Sequence, residues 1–210
     1  MRDCTNSSNP ATCNTDNPTI QDIEIEKMIV HENYVRYVEN DIALLRLNKS
    51  AVLTRIKNVR TICLPVKPDQ SIDALMEQDK EVPIMTISGW GISEESVTTN
   101  SDVLLQASVQ YIPNKQCTAK YNDLKVLNPR ISIEIRESVL CAGWNNKTDV
   151  CSGDSGGPIA YYAKNDKGQY KIFQQGIVSL GLACTSSLSA PGIYTRVSSF
   201  MEWILDNLED

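Results

Sequence analysis

Apolar residues in this chain fall in short runs separated by turn-forming residues. Ile23-Glu24-Ile25-Glu26 alternates apolar and charged side chains, the period of a half-buried strand, and Lys27-Met28-Ile29-Val30 continues it. Ile42-Ala43-Leu44-Leu45 is a second strand-like run, which ends at Asn48. From Cys63-Leu64-Pro65 to about residue 81 the chain is polar and predicts a connector between two sub-domains. Beyond it, apolar segments recur at 83–88, 102–112, 138–141, 158–162, 171–180 and 192–197. Short strands between turn signals predict an all-β barrel or sandwich. The C-terminus differs: Phe200, Trp203, Ile204 and Leu208 fall at helical spacing after Ser198-Ser199, a pair able to cap a helix. A helix over 198–210, packed against the barrel, is the expectation. There is no internal repeat and no low-complexity tract.

The length of 210 residues and a hydrophobic content of 41% suffice for one large domain or two small ones. A net charge of −6 without any basic cluster argues against a nucleic-acid or anionic-membrane surface. No apolar run approaches the roughly 18 residues that span a bilayer. Residues 1–19, rich in Asn, Thr, Asp and Pro, read as an exposed loop closed by Cys4 and Cys13. The opening Met1-Arg2-Asp3-Cys4-Thr5-Asn6 is polar and is no secretory signal. The seven cysteines (4, 13, 63, 117, 141, 151 and 184) contain no C-x-x-C pair, so their spacing suits structural disulfides better than zinc or redox motifs. Sequons begin at Asn6, Asn48 and Asn146 and are compatible with secretion. An extracellular location without a signal peptide leads to the expectation of a further N-terminal segment, and the odd cysteine count agrees with it. Asp16, Asp22 and Glu24 could bind calcium, or simply form a solvated acidic face.

The chemistry concentrates in Cys151-Ser152-Gly153-Asp154-Ser155-Gly156-Gly157-Pro158. Glycines on both sides of a serine let the backbone turn tightly, so that two amides can face a developing oxyanion while the hydroxyl attacks. A serine hydroxyl is a weak nucleophile at neutral pH and needs a base, usually histidine. The chain has one histidine, His31. Chain order then discriminates between families. The α/β-hydrolase order puts the histidine after the serine, and none follows Ser155. The subtilisin order needs one between the acid and the serine, and none lies between Asp41 and Ser155. The order His, Asp, Ser survives. Its base is either His31 or a histidine upstream of Met1.

Residues 153–158 resemble the nucleophile loop of the trypsin-like (chymotrypsin-fold) serine endopeptidases. Asn40-Asp41-Ile42-Ala43-Leu44-Leu45, Ser88-Gly89-Trp90-Gly91, Pro191-Gly192-Ile193-Tyr194-Thr195-Arg196-Val197 and the Trp203 helix resemble further segments of that family in the same order. The likeness runs from about residue 22 to the end. It implies a double β-barrel: the remainder of a first barrel in 1–62, a connector in 63–82, a second barrel in 83–197 and a terminal helix in 198–210. It implies Ser155 as nucleophile, the amides of Gly153 and Ser155 as oxyanion hole, and Asp41 as the acid that orients the base. By the same resemblance Asp154 receives the α-amino group released on zymogen cleavage. Asp149, with Gly181 and Gly192 as walls, forms a specificity pocket for Arg or Lys. Protein substrates cut after basic residues and serpin-type inhibitors are the partners it implies.

The resemblance also implies disulfides Cys117–Cys141 and Cys151–Cys184, with Cys63 tying the domain to an N-terminal regulatory segment. Cys63 as a free thiol is the alternative. A Cys4–Cys13 bridge resembles the clip-domain proteases of arthropod cascades. Leu180 departs from the family's usual tryptophan, which reshapes the wall beside the cut. The family's first-barrel strands and its Ala-Ala-His-Cys motif have no counterpart, so roughly a third of a protease domain is expected to be missing. His31 resembles a surface residue after a first-barrel strand. Two readings follow: an incomplete piece of an active endopeptidase, inactive alone, or a non-catalytic homologue that binds partners.

Overall fold

The structure is a computed structural model and describes residues 21–35, 39–53, 59–79, 82–93, 96–129, 133–143, 150–164, 168–181 and 190–208. Among the described residues, ten strands and three α-helices follow in chain order. They are β1 (Ile25–Val30), β2 (Ala43–Leu47), α1 (Ile72–Asp79), β3 (Ile84–Gly89), β4 (Ile92–Ser93), β5 (Ser96–Asn100), β6 (Leu105–Ile112), α2 (Asn114–Leu127), β7 (Val139–Ala142), β8 (Pro158–Lys164), β9 (Tyr170–Leu180), β10 (Gly192–Arg196) and α3 (Met201–Asp206). Six strands close a barrel in the order β10-β7-β6-β3-β8-β9, while β1–β2 and β4–β5 are separate antiparallel pairs. No helix among the described residues is long and apolar enough to cross a membrane.

Alternation along the strands fills the barrel. Met85 and Ile87 of β3, Val109 and Tyr111 of β6, Leu140 of β7, Ile159 of β8, Val178 of β9 and Tyr194 of β10 point into one core. All of β7 is buried, because its other face, Val139 and Cys141, meets α2. Helix α2 presents Cys117, Tyr121 and Leu124 at i, i+4 and i+7, one apolar stripe on an otherwise polar helix. The Cys117–Cys141 disulfide fastens that stripe to β7. Closing a loop of 24 residues contributes on the order of 3 kcal/mol in the chain-entropy account.

One end of the barrel is closed by a polar cluster. Arg196 is buried, and its guanidinium donates to the carbonyls of Glu137 and Val139, to Asn114 Oδ1 and to the Asp73 carboxylate. Asp73 also accepts the Tyr111 hydroxyl. Desolvation by burial, then the hydrogen bond to Asp73, push the Tyr111 pKa up to about 12. Asp73 belongs to α1, whose Ile72 is inserted in the barrel core. The segment expected to be a bare polar connector is therefore partly a helix anchored at both an apolar and an ionic contact. Helix α2 is likewise a helix within a stretch whose expected rhythm was all β.

The C-terminal helix is shorter than 198–210. Ser198 and Ser199 lie in a 3-10 turn (Val197–Phe200), the residue preceding α3 is Phe200, and no side-chain cap bond forms there. Ser199 Oγ instead donates to the Glu137 carbonyl at 3.3 Å. Val197, Phe200, Met201 and Ile204 pack with Ile42 and Leu44, so the turn and helix dock on the β1–β2 ribbon. The ribbon's other face carries the paired residues Ile25/Leu47 and Met28/Leu45, and these side chains are exposed.

The pH dependence of stability carries a signature of the Tyr111 site. The folded state holds the phenolic proton above the ordinary value of 10.0, so between pH 10 and about 12 the unfolded chain binds fewer protons and stability falls as pH rises. Tyr111→Phe removes that component. Urea unfolding across this range is expected to show a shallower alkaline decline for the variant than for the wild type.

Candidate active site

Ser155 stands exposed in a turn between Cys151 and β8. Gly153 (φ +97°) and Gly156 (φ +81°) flank it in the left-handed region, which a Cβ disfavours. The turn is fastened at two ends. Gly156 N–H donates to the Val178 carbonyl and Val178 N–H to the Gly157 carbonyl, both at 2.9 Å, so the loop runs directly onto β9. On the other side the Asp154 carboxylate accepts Gly91 N–H at 2.8 Å and Cys151 N–H at 2.9 Å. The Ser88-Gly89-Trp90-Gly91 segment therefore has a local reason for its glycines: a Cβ on Gly89 would lie 2.0 Å from Asp154 Oδ1, and one on Gly91 2.6 Å from the same carboxyl.

Asp41 sits at the centre of a tight turn in which Ile42 N–H donates to the Asn40 carbonyl at 2.8 Å. Asn40 adopts φ 54°, a region that asparagine tolerates, and its side chain donates to the Asn33 carbonyl. Two hydroxyls of the six-stranded barrel reach Asp41. Ser179 Oγ of β9 donates to Oδ2 at 2.6 Å, and Thr195 Oγ1 of β10 to the backbone carbonyl at 2.7 Å. The Ser155 turn and Asp41 are thus bonded to consecutive residues of one strand, Val178 and Ser179. Neither hydroxyl contact is visible in the sequence. Thr195 lay inside a recognised segment, but only its fold shows that it faces Asp41.

His31 is placed elsewhere. Its ring packs against Trp203 at 4.9 Å and edge-on to Phe200 at 5.4 Å between centroids, and Nδ1 accepts Asn33 N–H at 3.2 Å. Glu32 beside it accepts Trp203 Nε1–H at 3.0 Å. The Glu32 carboxyl lies below its ordinary range, first through a backbone hydrogen bond and then through this indole. The imidazole is a structural contact between ribbon and C-terminal helix.

Leu180 ends β9, pairs with Ile193 and, with Glu39, Glu134 and Ser179, lines a recess beside Asp41. Glu39 and Glu134 share one cation, Arg136. Gly192 is buried at the start of β10, and the space where a Gly181 Cβ would sit is open. Cys151 is disulfide-bonded, and Cys63 is a free thiol whose backbone pairs with β9. Asp149, Cys184, Cys4, Cys13, Asn6 and Asn146 lie outside the described residues. Among the described residues no three His, Cys, Asp or Glu side chains are grouped to hold a metal ion.

The trypsin family model matches residues 4–204. The chain belongs to the trypsin family. It is 36% identical over 194 residues to Serine protease grass of Drosophila melanogaster, covering 91% of this chain and 46% of that protein. To the CLIP domain-containing serine protease HP8 of Bombyx mori it is 36% identical over 195 residues, covering 90% and 47%. The crystal structure of the Drosophila Grass clip serine protease of the Toll pathway superposes with a TM-score of 0.67 at 34% identity, over 88% of this chain and 47% of the other. The chain therefore spans about half the length of these relatives. The trypsin-type fold matches the expectation from the serine loop, and the likeness to clip-domain proteases matches the resemblance drawn from Cys4 and Cys13.

Two substitutions test how the site is held. Gly89→Ala is expected to destabilise the fold by about 1–3 kcal/mol through overpacking against Asp154. In the Asp154→Ala background that cost should largely vanish, a coupling measurable by a double-mutant cycle in urea. Thr195→Val, which leaves the Asp41 carbonyl without its hydroxyl donor, is expected to cost about 1–2 kcal/mol, whereas Thr195→Ser should stay near wild type.

Proposed function

We propose that this chain carries the nucleophile and acid of a serine endopeptidase that cleaves peptide bonds after Arg or Lys in a secreted proteolytic cascade. The observation that supports it most is the joint suspension of the Ser155 turn and the Asp41 carboxylate from Val178 and Ser179 of β9. In this reading Ser155 Oγ attacks the scissile carbonyl as a histidine takes its proton. The Gly153 and Ser155 amides stabilise the oxyanion, and Asp41 orients the histidine and stabilises its imidazolium. Asp149 at the base of the specificity pocket pairs with the substrate's basic side chain, between walls at Gly181 and Gly192. Asp154, which already accepts two amides, is the acceptor for a new α-amino group on activation. Cys63 pairs with a cysteine of a regulatory segment, Cys151 with Cys184 and Cys4 with Cys13. Serpin-type inhibitors are the natural antagonists.

His31 is committed to Trp203, Phe200 and Asn33. The base in this proposal is therefore supplied by polypeptide outside these 210 residues, and the chain is inactive alone. The exposed apolar face of the β1–β2 ribbon is consistent with such a covering segment. The placement of His31 equally favours a second reading, a non-catalytic homologue that engages a partner in the cascade.

Expressed alone, the chain is expected to hydrolyse no Arg or Lys amide substrate above background. Turnover abolished by Ser155→Ala would overturn the need for an outside base. Refolding with a relative's segment that bears Ala-Ala-His-Cys is expected to restore cleavage after basic residues, and Asp149→Asn to remove that preference. A segment that binds without any restored cleavage supports the non-catalytic reading.

A further inference from the structure

The sequon Asn48-Lys49-Ser50 plays no part in the site above, and it is the one of the three that lies entirely among the described residues. All three of its residues are exposed, and the chain bends at 48 and 49, immediately beyond the end of β2. The backbone there is anchored, because Asn48 N–H donates to the Glu24 carbonyl at 2.9 Å. The side chain is presented as well: its Nδ2 donates to Glu24 Oε2 at 3.0 Å. An amide nitrogen has two hydrogens, so this bond leaves one of them for exchange. A sequon in an exposed bend is the arrangement in which Asn-x-Ser acts as an acceptor.

Two further observations bear on the compartment and the consequence. Cys117–Cys141 is oxidised and Cys151 is disulfide-bonded, which places folding in an oxidising compartment, where sequons are processed. Strand β2 separates Asn48 from Asp41. Seven residues of mostly extended chain at about 3.3 Å each put the two on the order of 20 Å apart. A large substituent at Asn48 leaves the Asp41 side of the molecule open. It also sits next to Leu47 and Ile25, exposed apolar residues at the ribbon's end.

We propose that Asn48 carries an N-linked glycan, an inference that rests on the secreted location in the functional reading but not on catalysis. In the transfer, Nδ2 attacks the anomeric carbon of an oligosaccharide carried on a lipid pyrophosphate. The new C–N bond forms as the C–O bond to the pyrophosphate breaks. The lipid pyrophosphate leaves with the bonding electron pair, and Nδ2 gives up one proton. No oxidant or reductant is needed. The product nitrogen keeps one hydrogen, so the bond to Glu24 survives modification.

The test is secretion of the full chain behind a leader peptide from insect cells, followed by peptide-N-glycosidase in heavy-oxygen water and peptide mass spectrometry. Glycosylated Asn48 is expected to be converted to heavy-oxygen-labelled aspartate. Asn48→Gln and Ser50→Ala should abolish the label, and Ser50→Thr should keep it. Unlabelled Asn48 in secreted chains whose Cys117–Cys141 bond has formed overturns the proposal. Recovery of Cys117 and Cys141 as free thiols overturns it too, by removing its compartment. A labelled Asn48 on a chain that never shows peptidase activity, even when complemented, upholds the glycan and sinks only the catalytic reading.

Discussion

Two neighbouring residues of β9 carry the arrangement on which the site depends. Val178 exchanges backbone hydrogen bonds with Gly156 and Gly157, and Ser179 gives its hydroxyl to Asp41. Backbone groups point along the sheet while side chains alternate above and below it, so a single strand can hold one loop in its plane and another above its face. The Val178 side chain meanwhile faces the barrel core. Any slip of β9 by one residue would exchange the two roles and turn Val178 outward, so core packing and site geometry enforce one register. The Ser155 turn and Asp41 come from segments 114 positions apart in the chain, yet the relation between them is set by one peptide unit.

The neighbouring strand repeats the logic with a different division of labour. Thr195 of β10 reaches Asp41, while Arg196, on the opposite face, closes the barrel end with Asp73, Asn114 and the carbonyls of Glu137 and Val139. A buried guanidinium is tolerated only when its donors find partners, and here they find four acceptors across α1, α2, β7 and the segment before it. The result is that β10 is fixed along its axis. The connector helix, which carries no catalytic group, contributes to that fixation through Asp73. The β1–β2 ribbon joins the barrel where Asp41 is attached, and Ile42 and Leu44 pack there with Leu64, Ile177, the 197–200 turn and α3.

Much of this was legible in the chain. Strands announced themselves as short apolar runs, because β7 and β10 are buried on both faces and β3 and β6 on one. The serine loop was legible because Gly153 and Gly156 answer to backbone angles, a local demand, while Gly89 and Gly91 of the facing segment answer to the Asp154 carboxylate. Helix α2 was missed although Cys117, Tyr121 and Leu124 carry its period. The three apolar positions are scattered in a polar sequence, and a search for runs does not see them. Helix α1 offered Ile72, Leu75 and Met76 at i, i+3 and i+4, but over a single helix of eight residues set in a polar stretch. The expected serine cap at 198–199 failed because the chain enters α3 through a 3-10 turn. The contacts of Ser179 and Thr195 with Asp41 span 138 and 154 residues, and such pairings are a product of topology.

The chain's one imidazole, lying between Trp203 and Phe200, has a spectroscopic use. Ring currents from two aromatic neighbours displace its carbon-bound proton resonances, and no second histidine exists to overlap them. A one-dimensional proton spectrum therefore contains a single pair of lines that reports whether the ribbon is seated on the C-terminal helix. Trp203 gives the same contact an optical readout, because indole emission responds to whether the ring beside it is in place. The residue that first raised the question of a missing base thus becomes an internal gauge of whether the ribbon is in place.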